Sequence, residues 1–349
     1  MLHFLGEFLT PYFGPFRLFT SYFFLAGFGL ALGGILSFYL LPKFAHLLPR
    51  DRGRAFAVDA KNSLGKPTGA GIIFVTLFIV LALLFIPFDL EIYGLLFLTL
   101  CCCVFGYFDD RSQLAWGEYK KGLIDLFICV SASLLICECA DVTMWLPFTK
   151  EIFIVSPALF VPISSIFIWT AINTTNCTDG VDGLSGTLVI ISFLTLGSLH
   201  YFVLGHVEVS KYLLVPHEKD GALWGILSAI SVGTLAGYLW HNAHPSKLLM
   251  GDAGSRALGF LLGVSVMQIG NPFLIFVTSL VLLINGGMGL VKVALLRFTK
   301  ISILKSIRFP LHDHVRHKHG WSPAQVLVRF TLIQALLTLI MMTLLLKIR

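Results

Sequence analysis

Long apolar runs alternate with short polar segments along the whole chain. A helix needs about 20 mostly apolar residues to cross a bilayer, and these runs are too long and too unalternating to be strands of a membrane barrel. The pattern predicts an all-α membrane protein with about ten transmembrane helices, in which residues 1–349 form a single domain. The predicted segments are 20–42, 69–88, 92–108, 122–140, 152–171, 185–205, 222–241, 256–270, 272–296 and 325–346.

The composition agrees with this prediction. Hydrophobic residues make up 56% of the chain and charged residues only 13%, which is typical of integral membrane proteins. The seven cysteines form neither a CxxC pair nor a Cys/His metal spacing. The net charge of +6 comes from basic residues spread over short loops, which indicates membrane topology rather than a nucleic-acid partner.

The lysines and arginines predict the orientation in the membrane. Most of the 25 basic residues lie in loops that follow odd-numbered segments, and few lie in the tails or the other loops. Because positively charged loops stay in the cytoplasm, we expect these loops to be cytoplasmic and both termini to be extracytoplasmic. The acidic and histidine-rich motifs lie in the same set of loops, so we expect them to form one cytoplasmic active site.

Two adjacent carboxylates, Asp109 and Asp110, end the third apolar segment. Neighbouring carboxylates at a membrane boundary are costly to desolvate without a cation or a shared proton. They could bind Mg²⁺, position a phosphate through that metal or supply a general base. A solvated helix end is the simpler alternative.

The segment 173–184, NTTNCTDGVDGL, is the strongest local signal in the chain. Asn and Asp oxygens suit hard cations such as Mg²⁺, and the glycines let backbone amides approach a phosphate or a planar ring closely. An Asx-rich turn between two helices is the alternative, although such a turn needs fewer of these residues.

Three more loops carry candidate chemistry. The loop 251–255 (GDAGS) offers Asp252 as a metal ligand at the start of a helix. The loop 312–319 (HDHVRHKH) suits a polyanionic ligand, with a zinc site or contact with lipid headgroups as alternatives. The stretch 65–71 (GKPTGAG) places Lys66 at the interface, and its spacing differs from that of a P-loop. Together these loops favour phosphate chemistry aided by a divalent cation.

In combination the motifs resemble the polyprenyl-phosphate N-acetylhexosamine-1-phosphate transferases, over essentially the whole chain. The matching patterns are DD at 109–110, NxxNxxDGxDGL at 173–184, MGDxGS at 250–255 and P-x-H-x-H…GW at 310–321. The histidine loop favours the branch of the family that uses UDP-MurNAc-pentapeptide. The resemblance implies transfer of phospho-MurNAc-pentapeptide to undecaprenyl phosphate in the lipid bilayer, with formation of lipid I, release of UMP and a Mg²⁺ requirement. Homodimer formation is a family expectation.

The resemblance also implies roles for individual residues. Asp252 and Asn176 would hold Mg²⁺, and Asp109, Asp110 and Asp252 would be catalytic, with Asp109 or Asp110 deprotonating the lipid phosphate. The glycines of NGGMG at 285–289, which interrupt segment nine, predict a bend or a close helix contact, with plain small-residue packing as the alternative. The resemblance implies that this segment forms part of a lipid groove. The residues expected to bind the substrate are Asn173, Asp179, Asp182, Asn242, His312, His314 and Lys66.

The chain departs from the family pattern in the stretch 65–71, which reads GKPTGAG where GTPTMGG is usual, and at four further positions. Gln113 stands where a lysine is usual, Leu249 stands where an aromatic residue would stack on uracil, and Asp313 and Arg316 change the histidine loop. A sister enzyme that uses UDP-GlcNAc is an alternative, and the histidine loop that ends in Gly-Trp argues against it.

A cation-coupled transporter is an alternative from another class. Transporters usually place ionisable residues near the middle of the membrane, whereas here most of them cluster at one face. The exceptions are Asp125, Glu138, His200 and Lys292.

Overall fold

The computed structural model describes residues 1–53, 63–114, 116–147, 149 and 151–347. Arg54, Lys61 and Lys150, which contribute to the charge pattern of the loops, lie outside the described residues.

The described chain is mostly helical, and the apolar segments predicted from the sequence coincide with helices over most of their length, although segment nine is divided among several short ones. Side-chain caps begin two of these helices, since the Ser21 hydroxyl accepts the N–H of Phe24 and the Asp89 carboxylate accepts that of Ile92. In chain order the elements are α1 (Leu2–Leu9), α2 (Tyr22–Phe44), α3 (Gly71–Phe85), α4 (Leu90–Arg111), α5 (Glu118–Cys137), β1 (Val142–Trp145), β2 (Ile152–Val155), α6 (Pro157–Thr178), α7 (Leu184–Ser198), α8 (Val207–Tyr212), α9 (Gly221–Asn242), α10 (Gly251–Gln268), α11 (Leu274–Thr278), α12 (Leu280–Leu282), α13 (Met288–Phe298), α14 (Leu311–His319) and α15 (Pro323–Lys347).

Among the described residues, seven helical stretches are long and apolar enough to cross a membrane. The chain is therefore a multi-pass membrane protein. Three of the ten predicted segments fall outside this set, because α3 has only 15 residues and because α5 and α10 carry charged residues in their first turns. The seven stretches are Tyr22–Leu47, Leu90–Arg111, Pro157–Thr178, Leu184–Leu204, Gly221–Asn242, Leu280–Phe298 and Pro323–Leu345.

A short β-hairpin corrects the all-α prediction. Strands β1 and β2 pair antiparallel, with Val142 opposite Val155 and Trp145 opposite Ile152. Residues 152–155 were expected to begin the fifth membrane helix, but their β-branched and aromatic side chains favour a strand. Pro157 then begins α6 at a position where a helix needs no N–H donor.

Segment nine is interrupted, as its glycines predict. A turn of π-helix, Leu283–Gly287, lies between α12 and α13. Such turns often mark functional positions in helices. The Asn285 side chain in this turn is completely buried.

Helix α10 is the central helix of the structure, and every residue from Gly251 to Met267 is buried. Glycines let its neighbours approach closely, because a Cβ at Gly71 of α3 would overlap the backbone of Gly254 and one at Gly106 of α4 would overlap the backbone of Asp252. These contacts bring the N-terminus of α10 to the same end of the bundle as the N-terminus of α3 and the C-terminus of α4.

Candidate active site

The first turn of α10 is held by a carboxylate from α4. One oxygen of Asp110 accepts the backbone N–H of Asp252 at 2.9 Å, and the other accepts that of Ala253 at 3.0 Å. Gly251 begins the helix with a φ of +71°, a left-handed conformation that glycine adopts readily. Asp110 therefore satisfies two amides that a helix N-terminus leaves unpaired, and this fixes the position of Asp252.

One ammonium group joins two carboxylates beside this helix end. Nζ of Lys121, in the first turn of α5, lies 2.9 Å from Oδ2 of Asp252 and forms a short ion pair with Oδ2 of Asp109. The other oxygen of Asp109 accepts the backbone N–H of Trp116 at 2.7 Å. Lys121 is therefore a cation at the centre of the acidic cluster.

Asn176 reaches the same carboxylate from the last turn of α6. Its Nδ2 atom donates to Oδ1 of Asp252 at 2.9 Å and to Oγ of Ser255 at 3.0 Å. The Ser255 hydroxyl in turn donates to the carbonyl of Gly251 at 2.9 Å. The two residues predicted to hold a metal, Asn176 and Asp252, are thus in direct contact. Their carboxylate and amide oxygens are of the type that Mg²⁺ prefers.

A second charge pair lies one helical turn deeper. Arg256 follows Asp252 by one turn on α10, and Asp125 follows Lys121 by one turn on α5. Nη2 of Arg256 forms a short ion pair with Oδ1 of Asp125, and the two side chains are only 6% and 1% exposed. Nη1 of Arg256 lies 4.0 Å from Oδ2 of Asp252.

The loop after α6 forms a second cluster of polar contacts. Oδ2 of Asp182 accepts the backbone N–H of Ser246 at 3.1 Å and lies 2.9 Å from Nδ1 of His244. Nζ of Lys66 donates to Oγ of Ser246 at 3.0 Å. Burial would raise the pKa of Asp182, but the bonds from Ser246 and His244 and the charge of Lys66 outweigh burial and lower this pKa. Asp182 is thus an ionised carboxylate that connects the loop after α6 to the loop 243–250, and Lys66 reaches the second loop through Ser246.

Asn242 joins two of these loops through its side chain. Its Oδ1 atom accepts the backbone N–H of Gly183 at 2.8 Å, and its Nδ2 atom donates to the carbonyl of Leu248 at 2.9 Å. Asn242 is only 5% exposed. The residue therefore fixes the loop 179–183 relative to the loop 243–250.

The backbone of Leu249 connects this loop cluster to α3. Its N–H donates to the carbonyl of Pro67 at 2.8 Å, and its carbonyl accepts the N–H of Ala70 at 3.0 Å. The stretch 65–71 therefore runs beside the segment that leads into Asp252. This backbone role does not depend on an aromatic side chain at Leu249.

His312 is buried against the loop after α6. The backbone N–H of His312 donates to Oδ1 of Asn285 at 2.8 Å, and Nδ2 of Asn285 donates to Oγ1 of Thr178 at 3.1 Å. A Cβ at Gly180 would lie 2.5 Å from Nε2 of His312, so this close approach requires glycine. His312 thus connects the interrupted segment nine to the end of α6.

Three other predicted site residues make hydrogen bonds to nearby positions in the chain. Asn173 donates to the carbonyl of Trp169 within α6 at 2.9 Å. Nδ1 of His314 accepts the backbone N–H of Arg308 at 3.2 Å. Asp179 directly follows α6, where its N–H donates to the Asn176 carbonyl at 3.2 Å. Their convergence on a substrate therefore stays a prediction.

The structure adds three residues to the site that the sequence analysis did not assign to it. Two of them counted there only as basic residues of the loops, and the third was one of the ionisable residues that lie away from the clustered face. The two basic residues are Lys121 and Arg256, and the third residue is Asp125. A signal was present, because Lys121/Asp125 and Asp252/Arg256 are oppositely charged pairs at i and i+4 in two apolar helices. Only the fold shows that these two helices face each other. We find no sequence pattern that would have indicated Ser246.

Comparison with known proteins adds an independent finding. Residues 92–270 match glycosyl transferase family 4. The phospho-N-acetylmuramoyl-pentapeptide-transferase of Treponema pallidum (strain Nichols) is 50% identical over 346 residues, which cover 98% of this chain and 95% of that protein. The protein of the same name from Helicobacter acinonychis (strain Sheeba) is 30% identical over 93% of this chain and 94% of its own length. The chain therefore belongs to the phospho-N-acetylmuramoyl-pentapeptide-transferase family and to glycosyl transferase family 4.

Proposed function

We propose that this protein transfers phospho-MurNAc-pentapeptide from UDP-MurNAc-pentapeptide to undecaprenyl phosphate, which forms lipid I and releases UMP. The observation that carries the proposal is the cluster at the N-terminus of α10, where Lys121 pairs with both Asp109 and Asp252 and Asn176 donates to Asp252. The whole-chain similarity to relatives of that name supports it. Such a cluster, at the end of a helix whose positive dipole favours anions, suits a reaction between two phosphates.

The donor set fits Mg²⁺. Among the described residues no group of three or more His, Cys, Asp or Glu side chains forms a metal site. Mg²⁺ is usually held by only one or two carboxylates, together with substrate phosphates and water. Asp252 and the Asn176 amide would supply the protein ligands. The metal, when bound, would neutralise charge on the donor pyrophosphate.

The protein residues would bind and orient the two phosphates for an in-line displacement. An oxygen of undecaprenyl phosphate attacks the β-phosphorus of the donor, the bond from that phosphorus to the bridging oxygen breaks, and UMP leaves with the bond electrons. Lys121, whose side chain is 25% exposed, would stabilise the negative charge on the transferred phosphoryl group. The rate enhancement comes mainly from positioning and charge neutralisation.

The two adjacent carboxylates would have different roles. Both oxygens of Asp110 accept backbone amides of α10, so Asp110 would act by positioning Asp252. Asp109 pairs with Lys121 and would face the reacting phosphates. If the acceptor phosphate arrives with a proton, Asp109 is the carboxylate that would remove it.

The loop cluster next to the acidic residues would bind the UDP-sugar. Lys66 supplies a cation and Asp182 a carboxylate, and both contact Ser246. Asn242 fixes the position of the loop 179–183 relative to the loop 243–250. His312 would complete the rim of this pocket through its contact with Gly180.

The finer topology belongs to the same proposal. We expect ten crossings of the bacterial inner membrane, with α3, α5 and α10 as the three beyond the seven apolar stretches. Both termini would then be extracytoplasmic and the acidic cluster cytoplasmic, where UDP-linked sugars are found. Homodimer formation stays an expectation from the family.

The experiment is a UMP-release assay with the purified protein, UDP-MurNAc-pentapeptide, undecaprenyl phosphate and Mg²⁺. We expect UMP and lipid I to form in equal amounts with the wild-type protein and neither to form with Asp252→Asn. UDP-GlcNAc in place of the donor separates the sister activity, since it should give no product.

The same assay distinguishes two reaction routes. Release of UMP from the donor alone, with label left on the protein, would indicate a covalent phospho-enzyme. Release that requires undecaprenyl phosphate would indicate direct transfer.

A further inference from the structure

The Asp125–Arg256 ion pair is a polar feature that the proposed reaction does not use. Both residues lie on helices that were predicted to cross the membrane, one turn inward from Lys121 and Asp252. Ionisable residues inside a membrane protein are costly to bury and are usually functional. This pair is therefore a candidate for a role in the site above it.

The hydrogen bonding of the pair does not indicate a purely structural role. Oδ2 of Asp125 and Nε of Arg256 are buried and have no hydrogen-bond partner among the described residues. A buried ion pair with unmatched polar atoms contributes little stability compared with apolar residues of the same size. Packing alone would thus be served better by two apolar side chains.

Two ion pairs join α5 to α10, and the positive charge is on α5 in the first pair and on α10 in the second. Lys121 faces Asp252 at 2.9 Å, and one turn deeper Asp125 faces Arg256. Both helices enter the bundle from the same end, so positions four residues apart descend by about 6 Å on each. Asp252 is consequently flanked by two cations, Lys121 beside it and Arg256 at 4.0 Å below it.

The two cations differ in what they can reach. The Lys121 side chain is 25% exposed and is shared between Asp109 and Asp252, so its ammonium group can turn toward an incoming phosphate. The Arg256 side chain is only 6% exposed and is held by Asp125, so it cannot follow a substrate. When Lys121 engages the substrate, Arg256 is the cationic side chain that stays beside Asp252.

We infer that Arg256, anchored by Asp125, is a positioning residue that holds the Asp252 carboxylate in place while Lys121 serves the substrate. This inference rests on the proposed function. The charge of Arg256 is the essential feature, because a unit charge at 4 Å in a partly buried site is worth more than about a tenfold change in an equilibrium or rate. Arg256 itself does not contact the substrate.

The test replaces both members of the pair, because a single change would leave one charge buried and unpaired and could unfold the protein. Asp125→Asn with Arg256→Gln keeps a hydrogen-bonded pair of similar size without charge. We expect this double variant to keep the wild-type melting temperature to within a few degrees. Its kcat for UMP release should fall at least about tenfold, with KM for the UDP-sugar within about twofold of wild type, because the binding loops are untouched.

Two further variants separate a positioning role from a structural one. Arg256→Lys keeps the cation and should retain more of the wild-type kcat than the double variant. Glu218→Gln is the matched control: it removes a carboxylate that accepts from Gln268 of α10 at 3.2 Å, at the opposite end of that helix. It should leave kcat unchanged.

The outcomes are distinct. A double variant with wild-type kcat, or with a loss of kcat that follows a loss of folded protein, overturns the role of Arg256 while the proposed function stands. A wild-type protein that releases no UMP overturns the proposed function itself.

Discussion

The replacement Asp110→Asn tests the difference that the structure assigns to the two adjacent carboxylates. The Asp110 side chain accepts two backbone amides of α10, at 2.9 and 3.0 Å. Asparagine has only one acceptor oxygen, so its NH₂ group would face the second amide N–H, and two donors cannot pair. The variant therefore loses one charge-assisted hydrogen bond and weakens the other.

The expected cost follows from typical values. A hydrogen bond to a charged group contributes about 1.5–3 kcal/mol, and loss of a helix N-cap costs about 1 kcal/mol. We therefore expect about 2–4 kcal/mol of destabilisation at the start of α10. Because this turn carries Asp252, a shift of about 1 Å there would lower kcat about 100-fold.

The assay combines thermal unfolding in detergent with UMP release for Asp110→Asn and Asp109→Asn. The first variant should lower both the melting temperature and kcat. The second should lower kcat with a smaller change in melting temperature, because Asp109 caps no helix. If Asp110→Asn kept the wild-type melting temperature and still abolished activity, Asp110 would act directly on the substrate and the capping argument would be wrong.

Three other predictions follow from named contacts. Gly106→Ala should lower both stability and kcat, measured as above, because its Cβ would overlap the backbone of Asp252; wild-type values would show that the helices can separate at no cost. Burial raises the pKa of Glu218 to about 8, helped by the charges of Glu91 and Asp220 and opposed by a bond from Gln268. The folded state therefore binds the Glu218 proton more tightly than the unfolded state, and the resulting stabilisation is present below about pH 4.5 and lost as the pH rises through about 8. The melting temperature should fall over that range, and Glu218→Gln should make the decline less steep. An equally steep decline in that variant would assign the effect to other groups. Chelation of Mg²⁺ with EDTA should abolish UMP release, Mg²⁺ should restore it, and activity that persisted in EDTA would contradict a metal requirement.

Much of the fold could be predicted from hydrophobicity alone, because a bilayer leaves a long apolar segment few alternatives to a helix. The prediction was wrong at residues 152–155, where hydrophobicity does not distinguish a strand from the first turn of a helix. It also does not show how many helices span the membrane when, as in α10, a helix carries charges such as Asp252 and Arg256.

The acidic residues of the candidate site could also be predicted, because carboxylates at a membrane boundary are rare and costly. What could not be predicted is their pairing. Lys121 lies among the loop lysines in the sequence, and only the packing of α5 against α10 places it between Asp109 and Asp252. Likewise, Asp109 and Asp110 are equivalent in sequence, and the direction of each side chain decides which one caps a helix.

The most direct test of the account is UMP release by the purified protein from UDP-MurNAc-pentapeptide. We expect release that needs both undecaprenyl phosphate and Mg²⁺ and that Asp252→Asn abolishes while the variant remains folded. Full UMP release by Asp252→Asn, or none by the folded wild-type protein with both substrates and Mg²⁺, would contradict the proposed site.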